Sequence, residues 1–172
     1  HGIMCKPIAT LADDAAPWIA LQRVLRDEAC NYEVTPSSLN REGTATGVLR
    51  GGNMAVLCGL CGTPYDIRRT IEQDKEQGKQ TILFIEDVGE HHYKIDRMMH
   101  QLRMSGVLDA VSGVVVGQFA DCEDDREMGC TLQESIADVL KEQDYPVLFG
   151  FPAGHVAENM PLPFGVETTL TV

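Results

Sequence analysis

From Thr81 onward the chain alternates between wholly apolar runs and amphipathic stretches, and this alternation constrains the fold more than any other feature. The apolar runs are Thr81–Ile85, Val111–Phe119 with Val114, Val115 and Val116 at its centre, and Val147–Phe151. Strands apolar throughout are covered on both sides, which implies parallel pairing. Between them, Ile95, Met98, Met99 and Leu102 mark one face of a helix from about His91 to Met104. Leu132, Ile136, Val139 and Leu140 mark a second helix, opened by the Thr131–Glu134 capping box. The expected fold is α/β, with a mostly parallel or mixed sheet flanked by helices.

The rest of the chain reads less regularly. Trp18, Leu21, Val24 and Leu25 repeat at helical spacing, so a helix is expected from about Ala15 to Asp27, capped by Asp13 or Asp14, with Pro17 in its first turn. Residues 31–40 are turn-rich, with a short edge strand expected at 32–35. Thr44–Leu49 reads as a strand that ends at Arg50-Gly51-Gly52-Asn53, after which a helix follows. Asp66–Gln80 is mostly charged and reads as a loop or short solvated helix offering little to a core. The tail from Phe164 to Val172 alternates and reads as an edge strand. With no internal repeat and no low-complexity linker, one domain over residues 1–172 is the simplest organisation.

Composition removes several functions. A net charge of −12 argues against nucleic acid and against an anionic membrane surface. No apolar stretch approaches the roughly 20 residues of a membrane span. No secretory signal pattern is present; the chain opens on His1, so the native N-terminus is expected to be missing or processed, which leaves an upstream signal open. The six cysteines stand at positions 5, 30, 58, 61, 122 and 130. Cys58 and Cys61 have the spacing of a redox or zinc pair, but no second pair completes a zinc site and the motif lies inside an apolar helical stretch. Buried thiols acting as small apolar residues in a reducing cytoplasm fit better.

The candidate chemistry sits where strands end. Glu86 follows the first apolar run and His155 follows the third, on the loop Pro152-Ala153-Gly154-His155. Right-handed crossovers place the carboxyl ends of these strands on one edge of the sheet, where α/β folds bind ligands. Gln118 comes from the same edge. Gly51, Gly52 and Asn53 open a helix after another strand, and their backbone N–H groups are placed to hold an anion such as a substrate carboxylate. Each feature also has a plain reading: a helix cap for Glu86, a surface histidine for His155, a tight turn for the glycines. An imidazole and a carboxylate are two parts of a Ser-His-acid set, yet none of Ser37, Ser38, Ser105, Ser112 and Ser135 stands in a nucleophile elbow. Adjacent His91 and His92 read as a solvated helix start. The loop carrying Asp121, Glu123, Asp124, Asp125 and Glu127 lacks the glycine and terminal glutamate of an EF-hand and reads as solvated. No metal site is assigned.

In this order, His1–Met4, Leu49–Asn53, Gly62–Tyr65, Ile82–Glu90, Tyr93–Arg97, Gly113–Gly117, Gly150–His155 and Leu162–Gly165 resemble the LD-carboxypeptidase family, the murein tetrapeptide carboxypeptidases. Ile3 stands where proline is usual and Met54 where leucine is usual; neither touches the candidate pair. The resemblance implies the C-terminal domain, of swivelling β/β/α type, of a two-domain serine peptidase. It implies that the nucleophile and oxyanion hole belong to an N-terminal domain absent from this chain, so the fragment alone is expected to be inactive. Glu86 is then the acid that orients the base and His155 the general base. The implied activity is removal of D-alanine from murein tetrapeptides during cytoplasmic cell-wall recycling, with no cofactor, and a homodimer is compatible with it. The related microcin-immunity branch usually lacks the carboxylate present here as Glu90. That branch, a metal-dependent hydrolase and a non-catalytic peptide-binding domain are the alternatives.

Overall fold

The structure is a computed structural model that describes Ala12 and residues 15–172. The expected caps Asp13 and Asp14, Cys5 and the 1–4 stretch lie outside the described residues. The elements are α1 (Ala16–Leu25), β1 (Thr44–Asn53), α2 (Met54–Gly59), α3 (Ile67–Glu76), β2 (Thr81–Val88), α4 (His92–Met104), β3 (Gly113–Ala120), α5 (Leu132–Leu140), β4 (Val147–Phe149) and β5 (Glu167–Thr171), with one 3-10 turn at Arg126–Met128. They form a five-stranded mixed sheet in the order β4-β3-β2-β1-β5. β1 to β4 run parallel and β5 pairs antiparallel with β1 at the edge, as the alternating tail implied.

Because β1 to β4 advance steadily across the sheet, right-handed crossovers bring their helices to one face. There Met54, Ile71, Ile95, Met99, Leu102 and Ile136 pack on Leu83, Ile85, Val114, Val116 and Phe149. Among the described residues no helix contributes to the layer on the opposite face. Leu49, Ile82, Phe84, Val115 and Leu170 are covered by Phe151, Ala153 and irregular segments carrying Tyr32, Met160, Leu162 and Phe164. β2, β3 and β4 therefore send alternate side chains to two different apolar layers, which is why their sequences are apolar throughout.

Two expectations are corrected here. Residues 32–35 form no strand, because Tyr32 and Val34 pack over a face of the sheet, on the layer of Leu49, Phe84 and Phe151, and not along an edge. Tyr32 instead stacks edge-on against Phe151 and donates from its hydroxyl to the Pro161 carbonyl at 2.8 Å. The charged 66–80 segment contains a full helix, α3, and contributes Ile67, Ile71 and the buried carboxylate of Asp74 to the interior. Asp74 accepts from Arg50 Nε at 2.9 Å, Arg50 Nη2 at 2.8 Å and Thr81 Oγ1 at 3.2 Å. The Arg50 guanidinium, above all other causes, holds the Asp74 carboxyl below the usual carboxylate range.

Candidate active site

Glu86 and His155 meet. His155 Nδ1 lies 2.8 Å from Glu86 Oε2, with Glu86 6% exposed. The strands that lead to them are not neighbours, since β3 lies between β2 and β4. The loop leaving β4 reaches Glu86 by crossing over β3 where side chains are missing. A Cβ on Gly117 would stand 2.6 Å from the Ala153 carbonyl oxygen and 2.7 Å from the Phe84 ring. A Cβ on Gly154, which has a φ of +135°, would stand 3.0 Å from Glu86 Oε2. The β2–β3 register also shifts beside Glu86, since Ile85 pairs with Val116 but Asp87 with Phe119. The extra residue is on β3, so the bulge turns Phe119 to the layer of Val114 and Val116, while Glu86 keeps the alternation of β2 on the side of Ile82 and Phe84 and Asp87 reaches α2.

The loop is tied down rather than loose. Met160 N–H donates to the Pro152 carbonyl at 2.7 Å, Gly154 N–H to Asn159 Oδ1 at 3.0 Å, and Gln118 N–H to the Ala153 carbonyl at 2.9 Å. With Glu86 accepting, His155 carries its proton on Nδ1. Nε2 is then an acceptor with no hydrogen-bond partner among the described residues, on a side chain 32% exposed. Around the pair is a cleft of about 170 Å³ lined by Gly52, Asn53, Phe84, Asn159, Met160, Leu162 and Phe164, among others. No serine lines it.

The remaining candidates divide. Gly52 and Asn53 line the cleft, whereas Gly51 and Gln118 do not. Gln118 spends its side-chain amide on the carbonyls of Gly150 and Phe151, at 2.9 and 3.1 Å, which braces the exit from β4. The glycine pair is not a turn: Gly51 and Gly52 belong to β1 and pair with Phe84 and Ile85. The N-terminus of α2 already has an anion of its own. Asp87 accepts from Ala55 N–H at 2.9 Å and from Asn53 Nδ2 at 2.8 Å, while Asn53 Oδ1 caps the helix at Val56 N–H. Sequence reasoning passed over Asp87, which directly follows Glu86, and Asn159, which stands four residues after His155 on the same loop.

The other clusters serve the fold. Cys58 is buried in α2, its thiol pushed up to about 12 by desolvation. His91 is exposed, but His92 is buried and its Nδ1 accepts from Asp125 N–H at 3.2 Å, which corrects the solvated reading of that histidine. The acidic loop is partly consumed in capping: Asp124 accepts from Leu132 N–H and Asp125 from Glu127 N–H. Among the described residues no group of three His, Cys, Asp or Glu side chains is placed to hold a metal. None of the described helices is long and apolar enough to cross a membrane.

Residues 46–170 match the family described as LD-carboxypeptidase C-terminal domain. The probable murein peptide carboxypeptidase of Bacillus subtilis is 34% identical over 139 residues, which cover 80% of this chain and 41% of that protein. The microcin C7 self-immunity protein MccF of Escherichia coli is 29% identical over 130 residues, covering 74% and 35%. The crystal structure of muramoyltetrapeptide carboxypeptidase from Oxalobacter formigenes shares the fold, with a TM-score of 0.72 at 24% identity over 99% of this chain and 56% of that one. The chain thus spans about half, or less, of the length of the proteins it matches. By the family match over most of its length, the chain belongs to the LD-carboxypeptidase family, and residues 46–170 correspond to the C-terminal domain.

Proposed function

We propose that this chain is the C-terminal part of a two-domain, serine-type LD-carboxypeptidase that removes terminal D-alanine from murein tetrapeptides in cytoplasmic cell-wall recycling. Glu86 and His155 supply the acid and base, and a preceding domain of the same protein supplies the serine. The observation that carries this reading is the 2.8 Å bond between His155 Nδ1 and Glu86 Oε2, which leaves Nε2 free at the cleft. Serine Oγ attacks the carbonyl carbon of the L,D-peptide bond while Nε2 takes its proton. The tetrahedral adduct collapses as Nε2 gives that proton to the departing amine of D-alanine, leaving an ester on the serine. Water, losing a proton to Nε2, then attacks the ester; serine leaves and recovers the proton. Glu86 holds the imidazole tautomer and stabilises the imidazolium. Gly52 and Asn53 border the peptide, and no metal or cofactor takes part.

The test is D-alanine release by the complete protein. His155→Ala and Glu86→Gln should each lower kcat by about 10²–10⁴-fold, with the histidine change the larger, because general acid–base contributions are of that size. The double variant should be little worse than His155→Ala, since the pair acts as a unit. Residues 1–172 alone should release none. Full activity of either single variant, or titratable release by the fragment, would refute the assignment. The kinship with MccF, which is solved in complex with aspartyl sulfamoyl adenosine, makes such a conjugate the substrate to try next if the tetrapeptide stays intact.

A further inference from the structure

The geometry points to Asn159 as the residue that binds the terminal residue of the peptide, through a hydrogen bond from Nδ2 to one of its oxygens. This rests on the function proposed above and extends it to the leaving-group side of the cleft. Asn159 is 7% exposed. Its orientation follows from a donor: Gly154 N–H, 3.0 Å away, requires an oxygen, so Oδ1 faces the loop and Nδ2 faces away from it. Nδ2 has no partner among the described residues, yet it is not sealed off, and the residue lines the cleft beside Glu86 and His155. A donor that the protein leaves unpaired at the cleft can give its hydrogen bond to a ligand acceptor in place of water.

The neighbours narrow the ligand. The side-chain amide of Asn53 is already engaged by Asp87 and Val56, so Asn159 is the free amide donor of the lining. Among the described residues neither lysine nor arginine lines the cleft. Its volume of about 170 Å³ is below the roughly 300–1,000 Å³ of ordinary small-molecule pockets. Phe84, Ala153, Met160, Leu162 and Phe164 make its walls apolar. A small apolar residue with an acceptor oxygen fits that description, and D-alanine at a chain end is such a residue.

Asn159→Asp separates the two roles of the side chain. It keeps the acceptor for Gly154 N–H but replaces the Nδ2 donor by a second acceptor oxygen. In complete protein carrying His155→Ala, so that peptide is bound without turnover, Asn159→Asp should weaken calorimetric binding of a tetrapeptide about tenfold or more. Asn159→Ala, which removes the donor without adding charge, should act in the same direction, and urea denaturation of both variants separates lost binding from lost folding. In the active protein Asn159→Asp should raise KM more than it lowers kcat, a split that simple loosening of the loop would not give. A loss greater for the free-carboxylate peptide than for its C-terminal amide places the contact on the terminal carboxylate; an equal loss places it on a carbonyl, and either supports the inference. Unchanged affinity in both variants, with the parent binding peptide, overturns it. A parent that binds no tetrapeptide overturns the proposed function and this inference with it.

Discussion

Removing Arg50 should destabilise the protein far more than removing the carboxylate it holds, although the two make one ion pair. Asp74 is 4% exposed at its side chain and Arg50 is 29% exposed. Arg50→Met leaves a carboxylate sealed in the interior with only the Thr81 hydroxyl, 3.2 Å away, as a side-chain partner. Orphaning a buried charge costs about 3–5 kcal/mol. Asp74→Leu leaves a guanidinium that already reaches water, so the loss should be about 1–2 kcal/mol. The double variant puts apolar groups in both places and should be no worse than Asp74→Leu, since replacing a whole buried pair is often neutral. Urea denaturation at pH 7 reads this directly. At a slope of about 2 kcal/mol per M, Arg50→Met should lower the midpoint by about 1.5–2.5 M and Asp74→Leu by about 0.5–1 M. Additive losses to within about 0.5 kcal/mol, or equal single losses, would refute the reasoning. The same pair fixes a pH dependence. The folded pKa of Asp74 is depressed by Arg50, so its contribution is complete above the unfolded value of about 3.9 and is lost as pH falls through the folded value. The gap between wild type and Asp74→Leu should therefore close below about pH 4.

Gly51→Ala should abolish folding or cost more than about 4 kcal/mol, since its Cβ would lie 1.9 Å from the Phe84 carbonyl oxygen at a φ of +126°. Gly52→Ala, strained at +143° but with nothing within 4 Å of its Cβ, should lose clearly less; equal melting temperatures for the two would count against this. In a thiol-reagent time course at pH 8, exposed Cys130 should react before the other described cysteines and Cys58 only on unfolding, because the buried Cys58 thiol is pushed up to about 12. Rapid labelling of Cys58 in folded protein, mapped by mass spectrometry, would contradict its burial.

The sheet was legible because its causes are local and repeated. Val114–Val116 and Ile82–Ile85 are apolar on both sides, and that pattern can be satisfied only between two covering layers. The same strand ends marked Glu86 and His155 as candidates. The errors lie where a polar group is buried by something distant in sequence. Asp74 looked solvated on a charged helix until Arg50, 24 residues earlier, reached it. His92 looked like half of an exposed pair until the 125 backbone closed over it. Asp87, from the neighbouring strand, accepts from the first turn of α2 at Ala55 N–H, a contact between segments 32 residues apart.

Taken alone, the sequence determined the α/β alternation, the edge position of the tail and the two polar residues at strand ends, because hydrophobic periodicity and strand termination act within a few residues. Only the tertiary structure decided that Glu86 and His155 touch. Their strands are separated by β3, and contact requires a loop to pass over that strand at Gly117, turn at Gly154 and be held by Asn159. Each of those is a clearance or a bond between segments far apart in the chain, so no local pattern encodes it.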